Sequence, residues 1–154
     1  MKNYEIPVDV IARYIIAFAQ YTGDVVTNLK LQKLLYYAQA WFLVNNDGKK
    51  LFPEDIEAWQ YGPVVPSVYK KYKSFGRNPI EIDCDFEKDF KFLPKNIREY
   101  LSEFCEKFLS LSAAELVGMT HQETPWREAA AQGAGTPIST DTMFVYYTEL
   151  LNNG

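Results

Sequence analysis

The chain has 154 residues, an apolar share of 47% and a formal charge of −4. These values exclude intrinsic disorder, disfavour generic phosphate binding and leave room for one domain with a real core. The two cysteines, Cys84 and Cys105, form neither a CxxC pair nor a metal-type spacing, so they read as buried free thiols. The N-terminal stretch MKNYEIPVDV has no secretory core, and no apolar run approaches the roughly 18 residues of a membrane span. The expectation is a cytoplasmic protein with no membrane association.

Pro7 and Asp9 open a first predicted helix, which runs to about Tyr21. Proline suits a first turn because its missing N–H would have no partner there. Ile11, Tyr14, Ile15 and Phe18 recur at helical spacing before Gly23 ends the run. Thr27 or Asn28 caps a second helix. Leu31, Leu34, Leu35, Ala38, Trp41 and Phe42 form one arc of it, yet Tyr36, Ala40, Leu43 and Val44 on the other side are apolar too. A helix apolar on both faces belongs at the centre of a fold. The stretch from Asn45 to Lys50, with Gly48, reads as a loop.

Leu51 to Tyr61 is ambiguous: Glu54, Asp55 and Glu57 argue against a buried strand, while Ile56 to Gln60 is compatible with a short one. Gly62-Pro63 breaks what precedes it as the corner into a short helix bearing Val65, Val68, Tyr69 and Tyr72. Gly76 stops that helix. From Ile80 to Glu87 the sequence alternates strictly. Ile80, Ile82, Cys84 and Phe86 fall on one face, and Glu81, Asp83, Asp85 and Glu87 on the other, which predicts a half-buried strand. Pro94 to Leu109 is an amphipathic helix with Ile97, Tyr100, Leu101, Phe104 and Phe108 in one stripe. Ser112 to Glu115 is a capping box. Thr124-Pro125 starts another helix, Gly133 to Pro137 is a flexible connection, and Thr140 or Asp141 caps the last helix. The fold class is mainly α (α+β): one domain over residues 1–154, with about six to seven helices and a small β-hairpin or strand pair.

No constellation promises chemistry. His121, the single histidine, stands near Glu123, but no nucleophile accompanies them and one histidine builds no His-rich metal site. A structural role for His121 is expected, with no metal and no cofactor. The acidic row reads either as a solvated edge or as an anionic surface for a basic partner. Lys70, Lys71, Lys73 and Arg77 interleave with Tyr69, Tyr72 and Phe75. Basic residues among aromatics are a nucleic-acid pattern, but helical spacing makes these aromatics core. A DNA-binding phage or prophage regulator is the alternative reading that this patch supports.

Three blocks, TNLKLQKLLYYAQAW, EAWQYGPVVPSVYKKYKSFG and SAAELVGMTHQETPW, follow one another from Thr27 to Trp126. In that order they resemble the SocA/GepA-type domain of phage-associated proteins, also called the Panacea domain. The resemblance implies a non-catalytic antitoxin that neutralises a cognate toxin by direct protein contact. One branch of the family instead delivers its toxin to a ClpXP-type protease. It also implies motif positions: Gln32, Lys33, Tyr36 and Tyr37 in the first block, Trp59, Tyr61, Gly62, Pro63, Val64 and Pro66 in the second, and Thr120, His121, Glu123 and Trp126 in the third. Trp59, Tyr61 and Val64, with the acidic Glu81, Asp83 and Asp85, are the candidate partner contacts. The remaining motif residues are expected to be structural.

Overall fold

A helix that is apolar on both sides has to be covered on both sides, and α2, Asn28–Asn45, is covered by almost everything else. The computed structural model describes residues 5–153. Thr27 caps α2, its hydroxyl accepting from the Lys30 N–H at 3.2 Å. Around this axis pack α1 (Val8–Tyr21), α3 (Pro66–Tyr72), α5 (Lys95–Phe108), α6 (Ala113–Gln122) and α8 (Thr140–Asn153). Leu31, Leu34, Leu35, Tyr36 and Ala38 have no exposed surface. Each fully buried leucine contributes about 2 kcal/mol of transfer free energy. Two further helices complete the set, α4 (Phe86–Asp89) and α7 (Thr124–Ala131). The described residues thus hold eight α-helices, one more than the seven that the sequence outlines, because α4 is a single turn that leaves no periodicity to read.

A three-stranded antiparallel sheet lies against α2, α6 and α7. It comprises β1 (Glu57–Trp59), β2 (Gly62–Val64) and β3 (Thr136–Pro137), in the order β2-β1-β3. Two expectations change here. Gly62-Pro63 does not form the corner: it is strand, with Gly62 opposite Trp59 and Pro63 opposite Ala58. The corner is Gln60-Tyr61, a two-residue hairpin turn. Proline is admissible in β2 because this is an edge strand, where the missing N–H breaks no ladder. The connection after α7 also supplies a strand. Gly135 N–H donates to Ala58 C=O at 2.9 Å, and Ile138 N–H to Ile56 C=O at 2.7 Å.

The predicted strand from Ile80 to Glu87 is not formed. Residues 80–85 have no regular secondary structure and join no ladder. Burial still alternates, with the four acids exposed and Ile80 buried. The partner is not a strand but the side chain of Gln20 on α1. Its Oε1 accepts from Ile82 N–H at 2.9 Å and its Nε2 donates to Ile82 C=O at 3.1 Å. Asp85 then caps α4, accepting from Glu87 N–H and Lys88 N–H. The cap of α8 also shifts by one residue: Ser139 Oγ accepts from Thr142 N–H at 3.2 Å.

Candidate functional site

Because α2 is enclosed, its polar residues are enclosed with it. Asn28, Lys30, Gln32, Lys33 and Gln39 are all buried. Buried polar groups have to find partners, and these find backbone. Gln32 Oε1 accepts from Val65 N–H at 2.9 Å, and its Nε2 donates to Asn28 Oδ1 at the same distance. Asn28 Nδ2 continues the chain to Tyr69 C=O at 3.0 Å. Gln32 and Asn28, one turn apart, thereby fix how the hairpin and α3 sit on α2. Gln39 does the same for residues 51 and 52, and Lys30 Nζ reaches Leu109 C=O just past the end of α5.

Lys33 differs from these. It is 0% exposed, and its ammonium donates to the Pro63 carbonyl at 3.0 Å. Among the described residues no carboxylate forms an ion pair with it. Burial alone pushes its pKa down to about 7. The space it occupies explains Gly62. A Cβ on that glycine would stand 2.7 Å from Lys33 Cε and 3.0 Å from Thr120 Oγ1, and its φ of +112° already disfavours a side chain.

Lys33 lies at the floor of an open cleft of about 530 Å³ between α2, the hairpin and the α3 end of the second block. Tyr61 stands at its mouth, 63% exposed. Trp59 forms a wall, half-buried, its ring edge-on to Tyr69 with centroids 5.1 Å apart and its Nε1 donating to Glu57 at 3.0 Å. Leu29, at 43% exposed, faces the opening from α2, and Lys73 and Arg77 complete the rim. Of the candidate contacts, Trp59 and Tyr61 offer surface, whereas Val64 lines the cleft but is 5% exposed. The part of Leu29 was not apparent in the sequence, where Lys73 and Arg77 figure as a basic patch and not as the rim of a cleft. The signal that would have exposed Lys33 was there: a lysine on a helix apolar on both faces has nowhere to go but inward.

The third block fastens the hairpin. His121 Nε2 lies 2.9 Å from Gln60 C=O, and Trp126 Nε1 donates to Trp59 C=O at 3.0 Å. The carbonyl makes His121 the donor. The rings of His121 and Trp126 meet at 4.2 Å. Thr120 is fully buried beneath Gly62. Glu123 accepts from Tyr37, and burial raises its carboxyl pKa against the lowering effect of that hydroxyl. Tyr147 donates to Tyr36 at 3.0 Å, and burial drives both phenols upward. His121 and Glu123 are therefore each engaged elsewhere and are not an acid–base pair. Pro66 takes the first turn of α3, where its ring is preorganised.

The acidic row lies apart from the hairpin contacts, held on α1 through Gln20 and by Tyr21, whose hydroxyl donates to Glu87 at 2.8 Å. Among the described residues no group of three or more His, Cys, Asp or Glu is placed to hold a metal ion. Both cysteines are free thiols. Cys105 is buried and Cys84 is half-buried. No helix of the described residues is long and apolar enough to cross a membrane.

The family model described as antitoxin SocA-like, Panacea domain, matches residues 31–127. Antitoxin SocA of Caulobacter vibrioides (strain NA1000 / CB15N) is 34% identical over 123 residues. The alignment takes in 73% of this chain and 64% of that protein's length. The chain therefore spans less than two thirds of the curated relative that it matches. No solved structure matches it. The matched residues run from the first turn of α2 into α7, so the cleft and its fastenings fall almost wholly within them.

Proposed function

Since the chain belongs to the SocA-like antitoxin family with a Panacea domain, we propose that it neutralises a cognate toxin protein by direct contact. The observation that carries this reading is the family match over residues 31–127. The state of the polar side chains supports it. Gln32, Lys33, His121, Glu123 and Trp126 are each spent on holding the hairpin, α2 and α6–α7 together. Groups committed in this way build a frame for presentation, and we read the chain as non-catalytic.

Partner contacts in this proposal come from the mouth of the cleft, with Tyr61 and Trp59 as aromatic anchors and Val64 as packing behind them. The acidic Glu81, Asp83 and Asp85 form a second, electrostatic contact. Co-expression with the product of the adjacent gene tests the reading: the chain restores growth and co-purifies with that product. Failure of both refutes it. Handing the toxin to a ClpXP-type protease is the other mode open to this family, and toxin half-life in cells with and without the protease separates the two. Toxin that stays intact and bound indicates blocking, and toxin lost only when both protease and chain are present indicates delivery.

A further inference from the structure

The chain is acidic overall, with a net charge of −4, yet the cleft beside the hairpin has no acid in its lining. Four other surface depressions each include at least one carboxylate, among them Glu87, Glu103, Glu149 and Glu106. Here the titratable charges in the lining are basic: Lys73 and Arg77 at the rim and the buried Lys33 amine, half protonated near pH 7, in the floor. The neutral walls are aromatic and aliphatic, through Trp59, Tyr61, Tyr69 and Leu29. Among the described residues Lys33 donates to the Pro63 carbonyl and pairs with no carboxylate, so no acid on this chain offsets the rim cations from below.

A concave surface of this kind suits a ligand group carrying negative charge next to a flat apolar body. We propose that the cleft receives a short acidic segment of the toxin, with a carboxylate seated between Lys73 and Arg77 above Lys33 and a neighbouring apolar or aromatic side chain packed against Trp59 and Tyr61. The proposal rests on the antitoxin reading and names the chemistry of its contact. Nucleic acid would present the same charge on its phosphates but fits less well. A strand needs a cationic track several nucleotides long. The chain offers Lys70, Lys73 and Arg77, with Lys71 paired to Asp9, and these are followed after a few residues by Glu81, Asp83 and Asp85, which would repel it.

The test has two arms. In the first, purified toxin encoded by the adjacent gene is titrated with wild-type chain and with Lys73→Glu/Arg77→Glu. Both positions are exposed, so the fold is kept, and circular dichroism checks that it is. The expected result is association weakened by about tenfold per reversed charge and a shallower salt dependence. Wild-type binding with no loss in the variant overturns the cleft while leaving the antitoxin reading intact. No binding by the wild type refutes the antitoxin reading instead, and the second arm then decides the cleft. There, short random peptides displayed on phage are selected on the wild-type chain and counter-screened on the variant. The proposal expects selected peptides rich in Asp or Glu beside an aromatic residue, dependent on Lys73 and Arg77. Peptides with no acidic bias, or peptides bound equally by the variant, overturn it. So does tight, cleft-dependent binding of a single-stranded DNA oligonucleotide in place of acidic peptides.

Discussion

Replacing Lys33 by methionine should make the protein more stable at neutral pH and should remove a specific slope from its stability profile. The free Lys33 ammonium has an ordinary pKa of 10.5, and in the fold burial lowers it to about 7. A base whose folded pKa is lowered binds fewer protons folded than unfolded between the two values. Stability therefore rises with pH across that window. Below pH 7 the folded state carries the full penalty. At about 1.4 kcal/mol per pH unit the interval from 7 to 10.5 amounts to a ceiling of about 5 kcal/mol. Methionine keeps the length and much of the volume but leaves the Pro63 carbonyl without its donor, which costs about 1 kcal/mol. The net gain at pH 7 is then at most about 4 kcal/mol.

The more diagnostic quantity is the difference between the two proteins from about pH 7 to about pH 8.5, where half of Lys33 starts deprotonated and nearly all finishes so. Relative to Lys33→Met, the wild type should recover about 1.5 kcal/mol over that range. Above it other groups intervene. Cys105 is raised by burial, as are the tyrosines Tyr37 and Tyr100, so their stabilisation is lost as pH climbs past 9 and then 10. Taking the difference between the two proteins cancels these contributions. Urea unfolding at several pH values provides the measurement. Parallel profiles would show that Lys33 keeps its ordinary pKa in the fold or is paired in solution, and the reasoning would fail.

Three further outcomes follow from the same geometry. Gly62→Ala should lower stability by about 2 kcal/mol or more, read from the urea midpoint, because a side chain at φ +112° is strained and its Cβ meets Lys33. Gln20→Ala should free both backbone groups of Ile82, costing about 1–2 kcal/mol and speeding amide exchange at Ile82 far more than within α2. Glu81→Lys/Asp83→Lys, with Asp85 left in place because it caps α4, should slow toxin association at low salt and have little effect at high salt. Unchanged rates at both ionic strengths would remove the acidic row from the interface.

Helices with a clear stripe and a capping residue were legible. Thr27, Ser112 and the Thr124-Pro125 pair each start an element where the sequence places it. The errors have a shared physical origin. Alternation from Ile80 to Glu87 reports that every second side chain meets a surface, and it is silent on what pairs the backbone; α1 supplied the surface and Gln20 the pairing. Gly62-Pro63 looks like a breaker because both residues weaken ladders, yet an edge strand tolerates proline and a buried lysine requires glycine. β3 is two residues long, too short for any period. At the candidate site, Trp59 and Tyr61 are named in the sequence as contacts, and the structure places both on the cleft. Lys73 and Arg77 stand in the sequence only as a basic patch, because they reach the cleft through the path of α3 and the turn after it.

The pairing of Ile82 with Gln20 also determines how residues 79–85 respond to change. A strand in a sheet is registered at every second residue, so a one-residue slip inverts its faces and an insertion breaks several bonds. This segment hangs from one side chain, with a further backbone bond from Ile80 N–H to Val26 C=O at 2.8 Å. Lengthening the chain beyond Ile82, or exchanging Glu81 and Asp83 for other residues, disturbs no ladder and leaves the Asp85 cap of α4 in place. The segment around Ile82 can therefore vary in length and charge like a strap on a fixed buckle, while α2, the hairpin and the cleft keep their shape.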